Sequence, residues 1–586
     1  MASTSAGRHG MRRRVAAGVL ALPLIMAVGC SRSGDDAIAK GSGEAVNPQQ
    51  PNNSVPTPGG GGGDFGTLKG VCGKGDGQAL TKKGKGVSDT EIKVSVMGDP
   101  QNTFQPGLGQ EFFDMADGFT KWCNELGGIN GRKIALTKRD GGLFDVGKAM
   151  TDACQTDFMV VGGGNPFDAA GVKPRVDCKL GAFPAYVVSE ASAQAALQDL
   201  AVGLPTTTTV TGAYKAIFDK YPDVKDHVGL LGQSVPDLIP VMQRYQKGVE
   251  AAGGKIVYKE DVAATAPPGR TSIEKMKADG VQMLVTTWLA VNSTSMFQEM
   301  DAIGWHPKVM ISDTSGYNRY TLDTAKKTQM PETYIYPTFV PQSLADKNPV
   351  AKQALDILHK AKPKNDLEFF HMSGLNSWLL FATAVKECGT DLSTECVLAK
   401  GKRPMWDAGG LFAPGPITDA ANMRANDCFT VVKVTNKGFI YDEGLARPNK
   451  GIFNCDPKNV AEVAAGAPPA QTPPADTPST DVPSTETPST ETPADPSTDT
   501  PPADTSGSTA GTTDGSTAGT TDGSTAGTTD GSTDGSVAGT TDGSVAGTTD
   551  GSTAGTTDGS TDGSTAGTTD GSTTGDSTGD STGSTI

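Results

Sequence analysis

The chain has 586 residues, of which 75 are glycine and 38 are proline, and aromatic residues make up only 6%. Such a composition cannot bury a core over its whole length, so part of the chain is not globular. The net charge of −16 is set by the C-terminal part, because from Glu462 onward there are 19 acidic residues and no lysine or arginine. The remainder is almost neutral and has no basic stripe, which argues against nucleic acid as a partner.

The N-terminus has the pattern of an export signal. Arg12-Arg13-Arg14 precede a short apolar run, Val15–Val28, which is too short and wrongly flanked for a membrane span. Ala27-Val28-Gly29-Cys30 resembles a bacterial lipobox. The resemblance implies that residues 1–29 are a lipoprotein signal peptide and that Cys30 receives acyl chains such as palmitate, which anchor the protein in the membrane. A plain secretory signal with an incidental cysteine is the alternative, and the start is Met1 or Met11.

Both ends of the exported chain are predicted to be disordered. Residues 30–63 consist largely of Gly, Ser, Pro, Asn and Gln, which predicts a flexible tether. Residues 461–586 are an acidic Pro/Thr/Ser segment followed by repeats of Ser-Thr-Ala-Gly-Thr-Thr-Asp-Gly, a period too short for a solenoid. We interpret this tail as a solvated brush in the cell wall.

Between these ends the sequence alternates strand and helix patterns. The first series has predicted strands at Ile92–Met97, Lys133–Lys138, Asp157–Val161 and Ala182–Val188 and helices around Phe112–Trp122, Phe144–Cys154 and Ala169–Cys178. The second has strands at Val228–Leu231, Ile256–Tyr258, Met283–Thr286, Val309–Ser312 and Tyr334–Tyr336 and helices at Gly212–Tyr221, Ile239–Ala252, Ile273–Lys277 and Ser295–Ile303. Two helices, Pro349–Lys360 and Phe369–Cys388, and a hairpin from Cys428 to Tyr441 follow. Two parallel α/β series predict two domains.

The phrase Gly-Gly-Ile-Asn-Gly-Arg-Lys-Ile (Gly127–Ile134), preceded by Val-Ser-Asp-Thr-Glu-Ile-Lys from Val87, resembles the first unit of type I periplasmic binding proteins of the leucine/isoleucine/valine-binding class. Those proteins are solute-binding components of ABC importers, and the resemblance covers about Val87 to Asp456. It implies an α/β fold of two Rossmann-like parallel-sheet lobes joined by a hinge. We expect lobe 1 at 64–206, lobe 2 at 207–336, and a return segment at 337–460 that completes lobe 1 and the hinge region.

The cysteines agree with an extracytoplasmic location. Apart from Cys30 there are eight, an even number that predicts disulfides outside the cytoplasm. From their positions on the predicted elements we expect the pairs Cys72–Cys123, Cys154–Cys178, Cys388–Cys396 and Cys428–Cys455. Zinc binding is the alternative, although no CxxC spacing is present.

Ligand contacts are expected where parallel strands end, since the crevice of such sheets lies at the carboxyl edge. The candidate ligand-binding residues in these loops are Phe104, Asn165, Phe167, Ser189, Ser192, Ser234, Trp288, Asp313 and Tyr317. Polar groups of this kind orient a small polar ligand while an aromatic ring covers it.

Several of these loops also have a purely structural interpretation. Gly162-Gly163-Gly164 is either a tight turn or a ligand contact, and Phe104 and Phe167 either cap their sheets or cover a ligand. Ser189 and Ser192 are suited to helix capping. Asp313 either receives a ligand amine or caps the turn before Tyr317.

The sequence therefore predicts a lipid-anchored solute-binding protein on the outer face of a bacterial cytoplasmic membrane. It is expected to act as a monomer that passes a small polar ligand to an ABC transporter permease, with no cofactor, no metal and no catalysis. The resemblance implies that an amino-acid carboxylate is held by Ser or Thr in the loops after the third and fourth strands, and the third-strand loop Gly162–Asp168 has neither. The ligand thus stays open between an amino acid, an amide, a urea-like compound, an aromatic acid and a peptide fragment. An extracellular sensor, an enzyme on the same scaffold and a wall-associated structural lipoprotein are the alternatives.

Overall fold

The computed structural model describes residues 63–103, 105–263, 267–286, 293–419 and 422–463. The chain divides into two units, Met1–Gln471 and Thr472–Ile586, and all described residues belong to the first. Cys30, the tether and the tail lie outside the described residues. No helix in the described ranges is long and apolar enough to cross a membrane.

The strands follow the apolar runs of the sequence closely. They are β1 Lys82–Lys83, β2 Glu91–Gly98, β3 Lys133–Asp140, β4 Met159–Val161, β5 Gly181–Phe183, β6 Thr208–Val210, β7 Val228–Gln233, β8 Ile256–Val262, β9 Met283–Thr286, β10 Val309–Ser312, β11 Glu332–Ile335, β12 Asp391–Leu392, β13 Arg403–Trp406, β14 Gly415–Ile417, β15 Cys428–Phe429, β16 Val432–Thr435, β17 Gly438–Tyr441, β18 Asn454–Cys455 and β19 Val460–Glu462.

The helices lie between them, as α/β alternation requires. They are α1 Gln110–Glu125, α2 Val146–Thr156, α3 Ala169–Asp177, α4 Glu190–Ala193, α5 Gly212–Lys220, α6 Ile239–Ala251, α7 Arg270–Ala278, α8 Ser293–Ile303, α9 Arg319–Lys327, α10 Pro349–His359, α11 Phe369–Cys388, α12 Thr394–Gly401 and α13 Glu443–Ala446.

The first lobe is built on a four-stranded parallel sheet with the order β3-β2-β4-β5. Its central helix is α11, which is buried on nearly every side because apolar residues surround its axis. Trp378 of α11 stacks on Phe119 of α1 at 5.4 Å between ring centroids, and Phe381 contacts Phe183 of β5 at 5.6 Å. Helices α10, α11 and α12 thus pack in the first lobe, whereas α13 packs against α5 of the second lobe.

The second lobe is built on a seven-stranded sheet with the order β17-β16-β11-β10-β9-β7-β8. Strands β8, β7, β9, β10 and β11 are parallel, and β9 and β10 in the middle of the sheet are buried along their whole length because helices cover both faces. The predicted α/β fold with two parallel-sheet lobes is therefore confirmed.

The segment 337–460 was expected to complete the first lobe and the hinge region. The hairpin β16–β17 within it lies in the second lobe instead. It pairs antiparallel with β11 and so extends the second sheet. Val432 and Val434 turn their side chains inward, and Lys433 Nζ contacts Glu332 at 2.8 Å. The hairpin covers an edge of the parallel sheet that otherwise exposes unpaired backbone groups.

The chain crosses between the lobes at segments that are paired with each other. Antiparallel β6 and β19 form one pair, and β15 and β18 form another, in which Cys428 stands directly opposite Cys455. The third crossing follows β11, where the backbone N–H of Thr430 donates to the carbonyl of Pro337 at 2.9 Å. These crossing segments occupy the place of the predicted hinge.

Four disulfides form in the structure, with the pairings expected from the sequence: Cys72–Cys123, Cys154–Cys178, Cys388–Cys396 and Cys428–Cys455. No cluster of His, Cys, Asp or Glu suited to a metal ion occurs in the described part of the chain.

Candidate ligand-binding cleft

A cavity of about 520 Å³ lies between the lobes, beside the crossing segments. The first lobe contributes Tyr186 and Val187, which follow β5. The second lobe contributes Arg244 and Tyr245 from α6 and Asp313 from the end of β10. The floor consists of crossing residues: Thr208, Thr209, Val210, Tyr336, Thr338, Cys428 and Phe429. Both lobes and the crossing strands therefore contribute to the lining of this cavity.

One wall of the cavity is mainly apolar. It consists of Leu200, Leu204, Phe369, Trp406, Phe412, Pro414, Pro416 and Met423. Trp406, on β13, donates from Nε1 to Asn376 Oδ1 of α11 at 2.7 Å. This hydrogen bond satisfies the indole nitrogen and fixes the ring against the cavity.

Asp313 caps the short turn that follows β10. Its Oδ1 accepts from the Ser315 backbone N–H at 3.1 Å and from Ser315 Oγ at 2.5 Å, and its Oδ2 accepts from the Tyr245 hydroxyl. Burial raises the pKa of Asp313, and the hydrogen bonds from Ser315 and Tyr245 oppose that rise. Both carboxylate oxygens therefore have protein donors.

Tyrosine hydroxyls surround this carboxylate. The Tyr214 and Tyr336 hydroxyls are 3.3 Å apart, and Tyr186 faces Asp313 from the first lobe. Burial is the main cause that raises the pKa of Tyr186, Tyr245 and Tyr336, so these groups remain neutral phenols. Neutral phenols can both donate to and accept from a polar ligand.

Arg244 is the one cation of the lining without a partner among the described residues. Its only hydrogen bond uses its backbone carbonyl, which accepts from Thr209 Oγ1 at 2.9 Å. The guanidinium makes no hydrogen bond or ion pair with the described part of the chain, and its Nη2 is enclosed. Burial lowers the pKa of Arg244, and the neighbouring Tyr245 and Glu190 oppose that change. An enclosed guanidinium without an acceptor is unfavourable, so the site is suited to an anion.

Asp313 is the sequence-predicted residue that the structure places in the cavity lining. Asn165 is buried instead in the first lobe, where its Nδ2 donates to Asp99 Oδ1 at 2.6 Å and its Oδ1 accepts from the Phe167 backbone N–H. Phe167 packs against Phe144 at 4.9 Å between centroids. These two residues organise the loops after β2 and β4.

The predicted serines make local contacts. Ser189 caps α4 by accepting from the Ser192 backbone N–H at 3.0 Å, and its own N–H donates to Asp168. Ser234 is exposed and joins the end of β7 to Val262 through its backbone. Phe104 and Trp288 lie outside the described residues.

Tyr317 lies in the core between the lobes. Its ring stacks on Phe439 at 4.1 Å between centroids, and its hydroxyl accepts from the Gln342 backbone N–H at 3.1 Å. The structure therefore brings Asp313 together with Arg244, Tyr245 and Tyr186, none of which the sequence singled out. Arg244 looks like an ordinary surface residue of an amphipathic helix, and only the approach of β6 to α6 encloses it.

The chain thus has two facing lobes, paired crossing strands and a cavity between the lobes. A family model described as "Periplasmic binding protein" matches residues 183–438, which run from the end of β5 to the start of β17. Residues 183–438 of this chain are therefore similar in sequence to periplasmic binding proteins, and the two parallel-sheet α/β lobes agree with that similarity. The family is one of solute-binding proteins, and its name places such proteins outside the cytoplasm.

Solved structures with a similar fold share little sequence with this chain. A fatty acid ABC transporter substrate-binding protein from Thermomonospora curvata is 17% identical, with 64% of this chain and 97% of that chain covered and a TM-score of 0.49. The branched-chain amino acid binding protein LivJ from Streptococcus pneumoniae, in complex with isoleucine, is 13% identical, with 60% and 98% covered and a TM-score of 0.48. A solute-binding protein of an ABC transporter from R. palustris, in complex with 4-hydroxybenzoate, is 14% identical, with 60% and 95% covered and a TM-score of 0.47. No curated protein sequence matches the chain.

Proposed function

We propose that this protein is an extracytoplasmic solute-binding lipoprotein that captures a small ligand between its lobes and delivers it to an ABC importer. The observation that carries the proposal is the cavity of about 520 Å³ between the lobes, with an unpartnered guanidinium and a set of neutral phenols in its lining. A cavity of this size that combines an apolar wall with a few polar groups is typical of a small-molecule site.

Capture is a hinge motion in this proposal. The ligand contacts Arg244 and Tyr245 of the second lobe and Tyr186 of the first, so it favours the closed arrangement by bonding to both at once. The paired crossing strands β6–β19 and β15–β18 act as the pivot. The protein does not catalyse a reaction on the ligand, and it acts as a monomer.

The proposal places the protein at the outer face of the cytoplasmic membrane. Export through the signal at residues 1–29 and lipid attachment to Cys30 hold it near the permease, and the four disulfides agree with an oxidising compartment. Residues 30–63 provide the reach between the anchor and the lobes.

The test is a thermal-shift screen of the exported chain, starting at Ser31, against amino acids, amides, ureas, aromatic acids and aliphatic acids. A ligand that binds only the folded state raises the melting temperature by mass action. We expect at least one class to raise it by several degrees and to be recovered chemically unchanged. A flat screen contradicts capture, and turnover of the bound compound contradicts a purely binding role.

A further inference from the structure

The geometry points to a ligand of a particular chemical class: we propose that the cleft binds an organic monocarboxylate with an extended apolar body and no ammonium group beside the carboxylate. The inference rests on the proposed function and specifies the ligand of that same cavity. It depends on three observations, which concern the anion position, the absence of a nearby ammonium acceptor and the apolar wall.

The first observation is a position for the carboxylate of the ligand, at the side chain of Arg244. Its side chain lines the cavity, is half-buried, and makes no ion pair or hydrogen bond with the described residues. Arg424, the other arginine of the lining, is already paired with Glu462. A guanidinium presents two parallel N–H groups that match the geometry of a carboxylate. Arg244 therefore provides the free cationic fork of the cavity.

Among the described residues of the lining, no carboxylate pairs with Arg244 or stands free beside it to receive an ammonium group next to the ligand's carboxylate. An α-amino acid carries its two charges on neighbouring atoms, so the acid that receives the ammonium must stand close to the arginine. The carboxylate whose charge acts on Arg244 is Glu190, and neither Asp313 nor Asp427 of the lining acts on it in this way. Glu190 is exposed and is not part of the lining, and Asp313 already accepts from Ser315 and Tyr245.

The rest of the ligand meets the apolar wall defined above. Trp406 is held in place by Asn376, and Phe412 is enclosed and packs edge-on against Phe339 at 5.7 Å between centroids. Fixed aromatic and aliphatic surfaces favour the burial of an acyl chain or an aromatic ring. Binding is thus expected to strengthen with the length of the apolar body.

The experiment compares matched probes by isothermal titration calorimetry on the exported chain. The probes are octanoate, octanamide and 2-aminooctanoate, and 3-phenylpropanoate, 3-phenylpropanamide and L-phenylalanine. We expect at least one of the two acids to bind. Its amide lacks the anion and its amino derivative adds an unpaired ammonium group, so both are expected to bind at least roughly 10-fold more weakly than the acid. Octanoate is also expected to bind at least ~10-fold more tightly than butanoate.

The role of Arg244 is tested with Arg244→Gln, which removes the charge and keeps hydrogen-bonding capacity. We expect it to weaken binding of the acid roughly 30-fold or more and to leave the weak binding of the amide unchanged. Lys247→Gln is the matched control, because Lys247 is an exposed cation on the same helix and lies outside the lining. Arg244→Lys, which retains the charge, is expected to keep part of the affinity for the acid. The melting temperature of each variant without ligand shows whether it folds.

The outcomes separate this inference from the proposed function. If an amino acid or an amide binds and the matched acids do not, the inference is overturned and solute capture stands. Equal loss of acid binding in Arg244→Gln and Lys247→Gln also overturns it, since a general charge effect then explains the result. If no compound of the wider thermal-shift panel binds, the proposed function itself falls.

Discussion

Close packing around single residues explains why three consecutive glycines follow β4. Gly162 has a φ of +75°, and a Cβ built on it meets Trp378 Nε1 at 2.4 Å. A Cβ on Gly163 meets the backbone oxygen of Met97 at 2.3 Å. The triplet therefore lets β4 approach both β2 and α11, and the structure supports the interpretation as a turn under tight packing rather than a ligand loop.

Substitution of Gly163 tests this packing requirement. We expect Gly163→Ala to lower the free energy of unfolding by roughly 2–4 kcal/mol, because the backbone of Met97 in the central strand cannot move aside. Urea unfolding measures the change. Gly269→Ala is the control, since a Cβ there meets no atom within 4 Å and the change is expected to be small. Equal effects at the two positions would contradict the argument.

At the scale of elements, disulfides hold together segments that are distant in the chain. Cys72–Cys123 joins the segment before β1 to α1 with a sequence separation of 51, whereas Cys388–Cys396 joins α11 to the neighbouring α12 with a separation of 8. A crosslink that closes a longer loop removes more conformational freedom from the unfolded chain. The first disulfide is therefore expected to contribute more to stability.

The prediction compares two double variants. One carries Cys72→Ala together with Cys123→Ala, and the other carries Cys388→Ala together with Cys396→Ala. On the loop-entropy account the first pair lowers the free energy of unfolding by roughly 4 kcal/mol and the second by roughly 2.5 kcal/mol. Denaturant unfolding under oxidising conditions gives both values. The reverse order would show that native contacts around the cysteines outweigh the effect on the unfolded chain.

The elements also show what the sequence could and could not predict. Strands such as Met283–Thr286 and Val309–Ser312 and the helix Phe369–Cys388 have the bounds that their apolar patterns predict. Helix α9 was missed because Arg319–Lys327 is mostly polar, and β6–β19 was missed because pairing between distant segments leaves no local pattern. The crevice at the strand ends and Asp313 were predicted, but Arg244 and Tyr186 were not, because they meet only through the tertiary fold.

At the scale of the whole molecule, an ion cluster connects the two lobes. Arg319, at the start of α9 in the second lobe, contacts Glu111 of α1 and Glu368 at the start of α11, both in the first lobe. Its Nη1 is 3.2 Å from Glu368 Oε1, and its backbone N–H donates to Glu368 Oε2 at 2.5 Å. Burial, and then the charge of Glu111, raise the pKa of Glu368 to about 7, against the opposing effect of Arg319.

The stability of the protein should therefore depend on pH in a defined direction. A carboxyl group with a higher pKa in the folded protein than in the unfolded chain binds more protons when folded. Its stabilising contribution is complete below the ordinary value of 4.5 and is lost as the pH rises to about 7. We expect the unfolding free energy to decrease over this window by on the order of 1–3 kcal/mol from this group.

The measurement is urea unfolding at a series of pH values from 4.5 to 8, on the native protein and on Glu368→Gln. Glutamine keeps the acceptor for Arg319 and removes the titration, so the variant should show a clearly flatter pH dependence. The other groups facing Glu368 are Glu111 and His371, and burial lowers the pKa of His371 to about 3, so the imidazole does not titrate in the window. If the unfolding free energy of Glu368→Gln changes with pH as steeply as that of the native protein, another group is responsible for the pH dependence.

The strand pair β6–β19 has a consequence for the order in which the protein is made. Thr208–Val210 pair with Val460–Glu462, and the Thr211 backbone N–H donates to the carbonyl of Asn459 at 2.6 Å. The residues of β19 leave the ribosome, and later the export channel, after about 250 others have followed β6. This strand pair therefore cannot form until the chain has been made through Glu462, although the residues after it are still to follow. The first lobe and most of the second are therefore complete before the strand pair that joins the crossing segments can close.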